Sequence, residues 1–314
     1  MNNTRIITYH YVKNPKDKLF ENIPGRSVKS FVDQIKYLKK NYSIIPMEEL
    51  IYNFSTKKKL NKPCVVLTFD DGYLDHFKNV FPILLKYKIK GAFYAPTYTL
   101  QQKGLLDVNK IQLILSKFEN KNKLKKEIDD FLIKEKIYND LEKELKKTLK
   151  DKRKKEGRMY DDKATVICKI LLQYLIPNKK KKKILDILFK KYVSSTKDQI
   201  IKKLYLNSNQ AKIMIKEGMH FGSHGIGHYW WEHLSLKDQK KEILGSMNYL
   251  KRLGIDQKNF TVCYPWGSYS KSTLKILKKI DCKIGLVIKH GVINNFNANP
   301  LLLPRIDTNE IKNN

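Results

Sequence analysis

The feature that most limits what this chain can fold into is an alternation of two periodicities, interrupted once. From residue 6 to about residue 100, short β-branched and aromatic runs (6–12, 42–45, 64–69 and 91–95) alternate with helical segments. Phe31, Ile35 and Leu38 recur at the spacing of one helical face, and Pro82 suits the first turn of the next helix. The alternation returns after residue 207, with strand candidates at 220–223, 260–264, 284–288 and 302–306. Between the first two of these, Ile243, Met247 and Leu250 line one face of a helix that starts near Ser235. Strand–helix repetition of this kind builds a parallel sheet. Eight candidate strands permit closure into a barrel, although the pattern is also compatible with an open sheet.

Residues 101–206 break the alternation. They are lysine-rich and helical in pattern, over 111–118, 124–133 and 164–175, with an unbroken basic run from Lys179 to Lys183 after Pro177. The expected organisation is one fold in two parts, 1–100 and 207–314, with a helical insertion at 101–206. That insertion reads either as a solvated accessory bundle or as a lid or docking surface. With 314 residues, 41% of them hydrophobic, the chain can bury a substantial core despite its charge.

The formal net charge is +32. Lysine is enriched along the whole chain together with asparagine and isoleucine, so the charge is first of all compositional. It also suits an anionic membrane surface or a phosphate-bearing sugar donor. No recognition motif for nucleic acid accompanies it, and specific nucleic-acid binding is not expected. No apolar run approaches the roughly 18 residues needed to cross a bilayer. Residues 1–5 lead into an apolar run too short for a secretory core, so a cytoplasmic protein is expected, with membrane association open to its basic surface. Cys64, Cys168, Cys263 and Cys282 show no CxxC spacing and read as reduced, buried side chains.

Two segments carry chemistry. The strand-like run 64–69 ends in Asp70-Asp71-Gly72-Tyr73. In a parallel barrel the C-terminal ends of the strands form the face where catalytic groups collect. Adjacent side chains on extended backbone point in different directions, so one aspartate can ligate a metal while its neighbour faces an attacking water. A plain turn with solvated aspartates is the alternative. His224 and His228 follow the strand-like 220–223 and so also lie at a strand end. Four residues apart, they can converge on one ion from a helical turn or tight loop. One carboxylate and two imidazoles leave positions open for water and substrate, as in a catalytic rather than a structural site.

At this point the chain resembles the polysaccharide deacetylases of the NodB-homology group, carbohydrate esterase family 4. Thr68-Phe69-Asp70-Asp71-Gly72-Tyr73 is similar to the family's first motif and residues 224–228 to its second. Val262-Cys263-Tyr264-Pro265-Trp266-Gly267 resembles the third, and Leu303-Pro304-Arg305-Ile306-Asp307 a later arginine motif. The resemblance runs over 5–100 and 207–310 in the family's order. Thr8-Tyr9-His10-Tyr11-Val12 resembles the Tyr-His segment of the circularly shifted branch that includes biofilm poly-N-acetylglucosamine deacetylases, where this histidine is the general acid. His290 is the C-terminal candidate for that role, but its surroundings fit the usual motif poorly, and His10 is preferred. Two positions depart from the pattern. Gly225 follows the first histidine where the family has Ser or Thr to brace the loop, and Val262-Cys263 stand where many members carry an arginine. The helical insertion has no counterpart in the minimal family domain.

The resemblance implies an α/β fold, a distorted parallel (β/α) barrel with a lysine-rich helical insertion. It implies a metal-dependent hydrolase that removes an N-acetyl group from an amino sugar in surface polysaccharide or glycan-precursor biosynthesis. Asp71, His224 and His228 are expected to hold the ion, Zn²⁺ by default, with Fe²⁺, Co²⁺ or Ni²⁺ as alternatives. Asp70 is expected to accept the proton of the attacking water, with Arg305 pairing with it and lowering its pKa. His10 is expected to protonate the departing amine, and the backbone N–H of Tyr264 to face the oxyanion. Tyr264, Pro265 and Trp266, with Tyr73, are expected to contact the substrate; Trp230, Trp231 and His233 are groove-wall candidates at most. The competing readings are a deformylase or deacetylase of a nucleotide- or lipid-linked amino sugar, and a catalytically silent carbohydrate-binding barrel. The last has no need of Asp70.

Overall fold

The computed structural model describes residues 3–14, 22–58, 62–151, 161–193 and 196–311. It divides into two compact units. One is drawn from Met1–Pro15, Gly25–Gly104 and Ile201–Asn314, the other from Lys16–Pro24 and Leu105–Ile200.

The first unit is a parallel barrel. Its strands in chain order are β1 (Thr4–Tyr9), β2 (Val12–Lys13), β3 (Arg26–Ser27), β4 (Ser43–Ile44), β5 (Cys64–Asp70), β6 (Ala92–Ala95), β7 (His220–Ser223), β8 (Thr261–Cys263), β9 (Ile284–His290) and β10 (Leu303–Asp307). Seven of them close in the order β1-β5-β6-β7-β8-β9-β10 and back to β1, all parallel. β2 and β3 form a separate short ladder. The eighth candidate strand is not a full stave. β1 takes one edge of β5 along its length, from Thr4 opposite Cys64 to Tyr9 opposite Phe69. The other edge is shared, with β4 opposite Cys64 and Val65 and β6 opposite Thr68, Phe69 and Asp70.

The strands read as continuous apolar runs because both of their faces are buried. Along β5, Val65, Leu67 and Phe69 join the layer formed with the outer helices, whereas Cys64 and Val66 belong to the barrel interior. Period two then places Thr68 and Asp70 on the interior side as well. Helix Val28–Asn41 packs its Phe31, Ile35 and Leu38 face against the outer layer, and helix Leu236–Arg252 does so with Ile243 and Leu250. Ser27 and Ser235 cap these helices by accepting from the backbone N–H of Ser30 and Asp238.

The interior is tight. A Cβ on Gly222 would lie 2.2 Å from the Tyr94 ring and 2.5 Å from Thr261 Oγ1. Gly222→Ala is therefore expected to destabilise by about 1–3 kcal/mol through overpacking. The check is a lower urea midpoint at unchanged m value.

The second unit is helical, with helices Asp107–Ser116, Lys121–Lys134, Tyr138–Thr148, Lys163–Ile170 and Asn178–Tyr192. Leu113, Ile114, Leu124, Ile128, Leu172, Leu185 and Leu188 are buried and make a core of its own. Several of its lysines pair with acids at the surface, Lys180 and Lys183 with Glu135 and Lys191 with Glu127. Exposed pairs like these contribute about 1 kcal/mol or less each. The apolar stripes of these helices, rather than their charges, hold the unit together. No helix among the described residues is long and apolar enough to cross a membrane. All four cysteines are free and buried.

Candidate active site

β5 ends at Asp70, and the next two residues, Asp71 (φ +72°) and Gly72 (φ +65°), take left-handed backbone. This reversal separates the two neighbouring carboxylates, which serve different partners. Asp70 stays on the interior side, 2% exposed. Arg305 Nη1, from β10, donates to both of its oxygens at 2.9 and 2.7 Å. Cys263 Sγ and Thr8 Oγ1 donate to it at 3.4 and 3.5 Å. Arg305 is fixed in turn, its Nε donating to the Val287 carbonyl at 3.3 Å. Burial pushes the Asp70 carboxyl up, but Arg305, followed by His224 and His10, outweighs it and holds the group below the usual carboxylate range. Asp70 is an ionised acceptor in a buried setting.

Asp71 faces the two histidines. Its Oδ1 lies 3.4 Å from His224 Nε2 and 3.3 Å from His228 Nε2, and this buried atom has no hydrogen-bond partner among the described residues. Its other oxygen accepts from the Tyr73 hydroxyl at 2.7 Å. Burial opposes charge on Asp71, yet the two imidazoles hold its carboxyl well below the usual range. His224 Nδ1 donates to the Cys263 carbonyl at 2.7 Å. A carbonyl can only accept, so in the neutral ring Nε2 carries the lone pair that points at Asp71. One carboxylate oxygen and two imidazole nitrogens thus converge on one point, and positive charge is favoured there: burial opposes charge on His224, but Cys263 and Asp71 beside it hold the imidazole well above its usual range. The set fits a divalent cation with open positions.

A second grouping, Asp70, His224 and Cys263, also brings its atoms within 4.8 Å. It is the poorer cation site. Asp70 is taken by Arg305, and burial pushes the Cys263 thiol up, away from the thiolate a metal needs.

His10 follows the end of β1. Its side chain is 50% exposed, with Nε2 3.9 Å from Asp70 Oδ2. The backbone here is held from the helical segment after the Asp-Asp-Gly turn. His76 Nε2 donates to the His10 carbonyl at 2.6 Å, the Val12 N–H donates to Asp75 Oδ2 at 2.8 Å, and Asn79 Nδ2 donates to the Val12 carbonyl at 2.7 Å. These three anchors were missed in the sequence. Their helical spacing was visible, but only the pairing of β1 with β5 aims them at residues 10–12. His290 lies at the exposed end of β9, where it meets Glu310 at 3.0 Å.

The third motif requires corrections. Tyr264 is 1% exposed, its hydroxyl donates to the Leu301 carbonyl at 2.7 Å, and its N–H donates to the Leu286 carbonyl at 3.1 Å. Neither the ring nor the N–H is available to a substrate, because Tyr264 extends the β8–β9 ladder by one residue. Pro265 is buried too. Tyr73, also expected against the sugar, is 1% exposed, stacked on Tyr11, and serves Asp71 instead. Trp266 (φ +61°) is the residue of this motif that turns toward the histidines, its ring 5.0 Å from that of His228 in an edge-on contact. Its backbone N–H has no acceptor among the described residues. Trp266 stacks on Trp230, which stacks on His233, whereas Trp231 is fully buried and belongs to the core.

A family model described as polysaccharide deacetylase matches residues 57–126 and 159–285, more than half of the chain. YxkH of Bacillus subtilis (strain 168), itself named provisionally as a polysaccharide deacetylase, is 34% identical over 67 residues, 21% of this chain and 24% of that protein. The alignment thus spans about a quarter of that relative's length. Among solved structures, the Streptococcus pyogenes deacetylase PplD in complex with acetate superposes with a TM-score of 0.57 at 19% identity, covering 97% of this chain and 92% of that one. IcaB from Ammonifex degensii gives 0.58 at 15% identity, covering 98% and 92%. At such identities the likeness is one of fold.

Proposed function

The chain belongs to the polysaccharide deacetylase family, and from that premise we propose that it hydrolyses the N-acetyl amide of an amino sugar, in a polymer or a glycan precursor, with a divalent cation held by Asp71, His224 and His228. The observation that carries this reading is the convergence of Asp71 Oδ1 with two imidazole Nε2 atoms beside an ionised Asp70. A cation bound there, Zn²⁺ by default, acidifies water and polarises an amide carbonyl. The remaining work falls to the chain's own groups. The Asp70 carboxylate accepts a proton from the attacking water, and Arg305 keeps that carboxylate ionised and in place. The free N–H of Trp266 replaces that of Tyr264 as the donor for the developing oxyanion. His10, half exposed and therefore open to a bound sugar, gives a proton to the departing amine nitrogen as the C–N bond breaks, leaving acetate and a free amine.

The test is acetate release from N-acetylated amino-sugar oligomers and from nucleotide- and lipid-linked forms. The protein is first stripped with a chelator, then assayed with and without Zn²⁺ or Co²⁺. Metal-restored release from any of them is expected. Tight metal binding with no release from the whole panel would favour a silent binding barrel.

Arg305 makes a pH prediction. It favours the charged form of Asp70, so the wild-type acid limb of kcat/KM lies at low pH. In Arg305→Gln burial still acts and the opposing charge is gone, so the Asp70 pKa rises and the acid limb moves to higher pH. Activity should be lost first at low pH and partly recovered as pH rises. An unmoved limb would remove Arg305 from this role. Breaking a buried pair also costs about 3–5 kcal/mol, so the profile is measured well below the melting temperature.

A further inference from the structure

Between the two histidines the chain runs Gly225-Ile226-Gly227, and the turn is conformationally demanding. Gly225 has φ +73° and His228 has φ +58°. A non-glycine residue in the left-handed region costs on the order of 1 kcal/mol and persists only where its surroundings over-determine it. The backbone of this turn is tied down from several sides. The Gly225 N–H donates to Ser223 Oγ at 3.1 Å. The carbonyls of Gly225 and Ile226 accept from the N–H groups of Thr97 and Tyr98, each at 3.1 Å. The His228 carbonyl accepts from Trp266 Nε1 at 3.2 Å.

The two central N–H groups, those of Ile226 and Gly227, converge on a single atom, Glu242 Oε2, at 2.8 and 3.0 Å. Glu242 comes from another element, the helix Leu236–Arg252, and is 6% exposed. Among the described residues no cationic side chain lies within ion-pair distance of it, and its carboxylate is engaged by the turn's N–H groups. A Cβ on residue 225 would lie 2.8 Å from the same oxygen. Glycine at 225 and glutamate at 242 therefore fit one another, since a side chain at 225 would press on the carboxylate that braces the turn.

We propose that Glu242 is the positioning residue of the metal-ligand turn, its Oε2 presetting the separation and aim of His224 and His228 by binding the Ile226 and Gly227 N–H groups. The inference rests on the metal reading given above and extends it to a residue that touches neither ion nor substrate.

The test uses the full chain, stripped with a chelator and titrated with Co²⁺ by its visible absorption and with Zn²⁺ by competition against a chromophoric chelator. Titrations are run well below the melting temperature. Glu242→Ala should weaken metal binding about 10- to 100-fold and change the Co²⁺ spectrum, the usual scale for losing a group that orients a ligand. Glu242→Gln keeps an acceptor oxygen at the same reach and should stay within a few-fold of wild type. Glu242→Asp keeps the charge but falls one methylene short, and should behave like Glu242→Ala. Gly225→Ala should weaken binding by a smaller factor in the Glu242→Ala background than alone, because the contact it creates is absent there.

A Glu242→Ala protein that melts lower yet binds metal like wild type would make Glu242 an ordinary structural acid and overturn the proposal. If that variant does not fold, equal affinities of the Gln and Asp variants overturn it instead. A wild type that binds no metal sinks the metal reading and this inference together, whereas normal wild-type binding with unmoved variants sinks the inference alone.

Discussion

Asp70→Asn should keep its metal and lose turnover by about a thousandfold, within the range that a positioned general base contributes. The asparagine side chain has the shape of the carboxylate and can still accept one hydrogen bond from Arg305, but it cannot take a proton from water. Asp71, His224 and His228 do not depend on Asp70 for their mutual geometry, since their contacts run through Tyr73 and the Cys263 carbonyl. Metal content and kcat should therefore separate, the first unchanged and the second nearly lost. Some stability will go as well, because the Arg305 guanidinium is left with a neutral partner in a buried site. Full activity in this variant would mean that the proton acceptor lies elsewhere.

Asp71→Ala should do the reverse, removing the metal and with it the activity. Losing the only carboxylate of a three-residue set is expected to weaken Zn²⁺ or Co²⁺ binding by roughly a thousandfold or more, because binding energy there is shared among few ligands. On the proposed reading the folded wild type binds a divalent cation at these three residues, so added Zn²⁺ should raise the melting temperature by mass action. In Asp71→Ala that rise should vanish, and the metal-free variant should melt lower than the metal-free wild type, because the imidazoles lose the carboxylate they hold ionised and Tyr73 loses a hydrogen bond. A Zn²⁺-induced rise that survives in Asp71→Ala would place the ion elsewhere, for instance at Cys263.

Much of the candidate site was legible in the chain because its chemistry is local. Asp70 and Asp71 adjoin one another at the end of an apolar run, and His224 and His228 are separated by one turn. The resemblance of these motifs to a known family then assigned roles that spacing alone left open. The parts that were missed depend on distant partners. Tyr73 and Tyr264 sit beside chemical residues and were expected to face substrate, but an aromatic ring beside a motif carries no mark of which way it points. Tyr73 turned to Asp71 and Tyr264 into the barrel wall. The missing brace at Gly225 was visible as a departure. Its replacement, Glu242, lies on a separate helix among other charged residues and looks like any surface glutamate until the helix is packed.

The sequence by itself determined the parallel α/β alternation, the helical interruption and the strand ends at which the carboxylates and imidazoles sit, because each follows from periodicity over a few residues or from adjacent side chains. Only the tertiary structure decided that seven strands close rather than eight, since β4 and β6 compete for one edge of β5. Only it decided that the Tyr264 N–H is taken by the barrel ladder while that of Trp266 has no acceptor among the described residues, and that a buried glutamate holds the histidine turn. Those outcomes depend on strand register and on contacts between residues far apart in the chain, for which local periodicity holds no record.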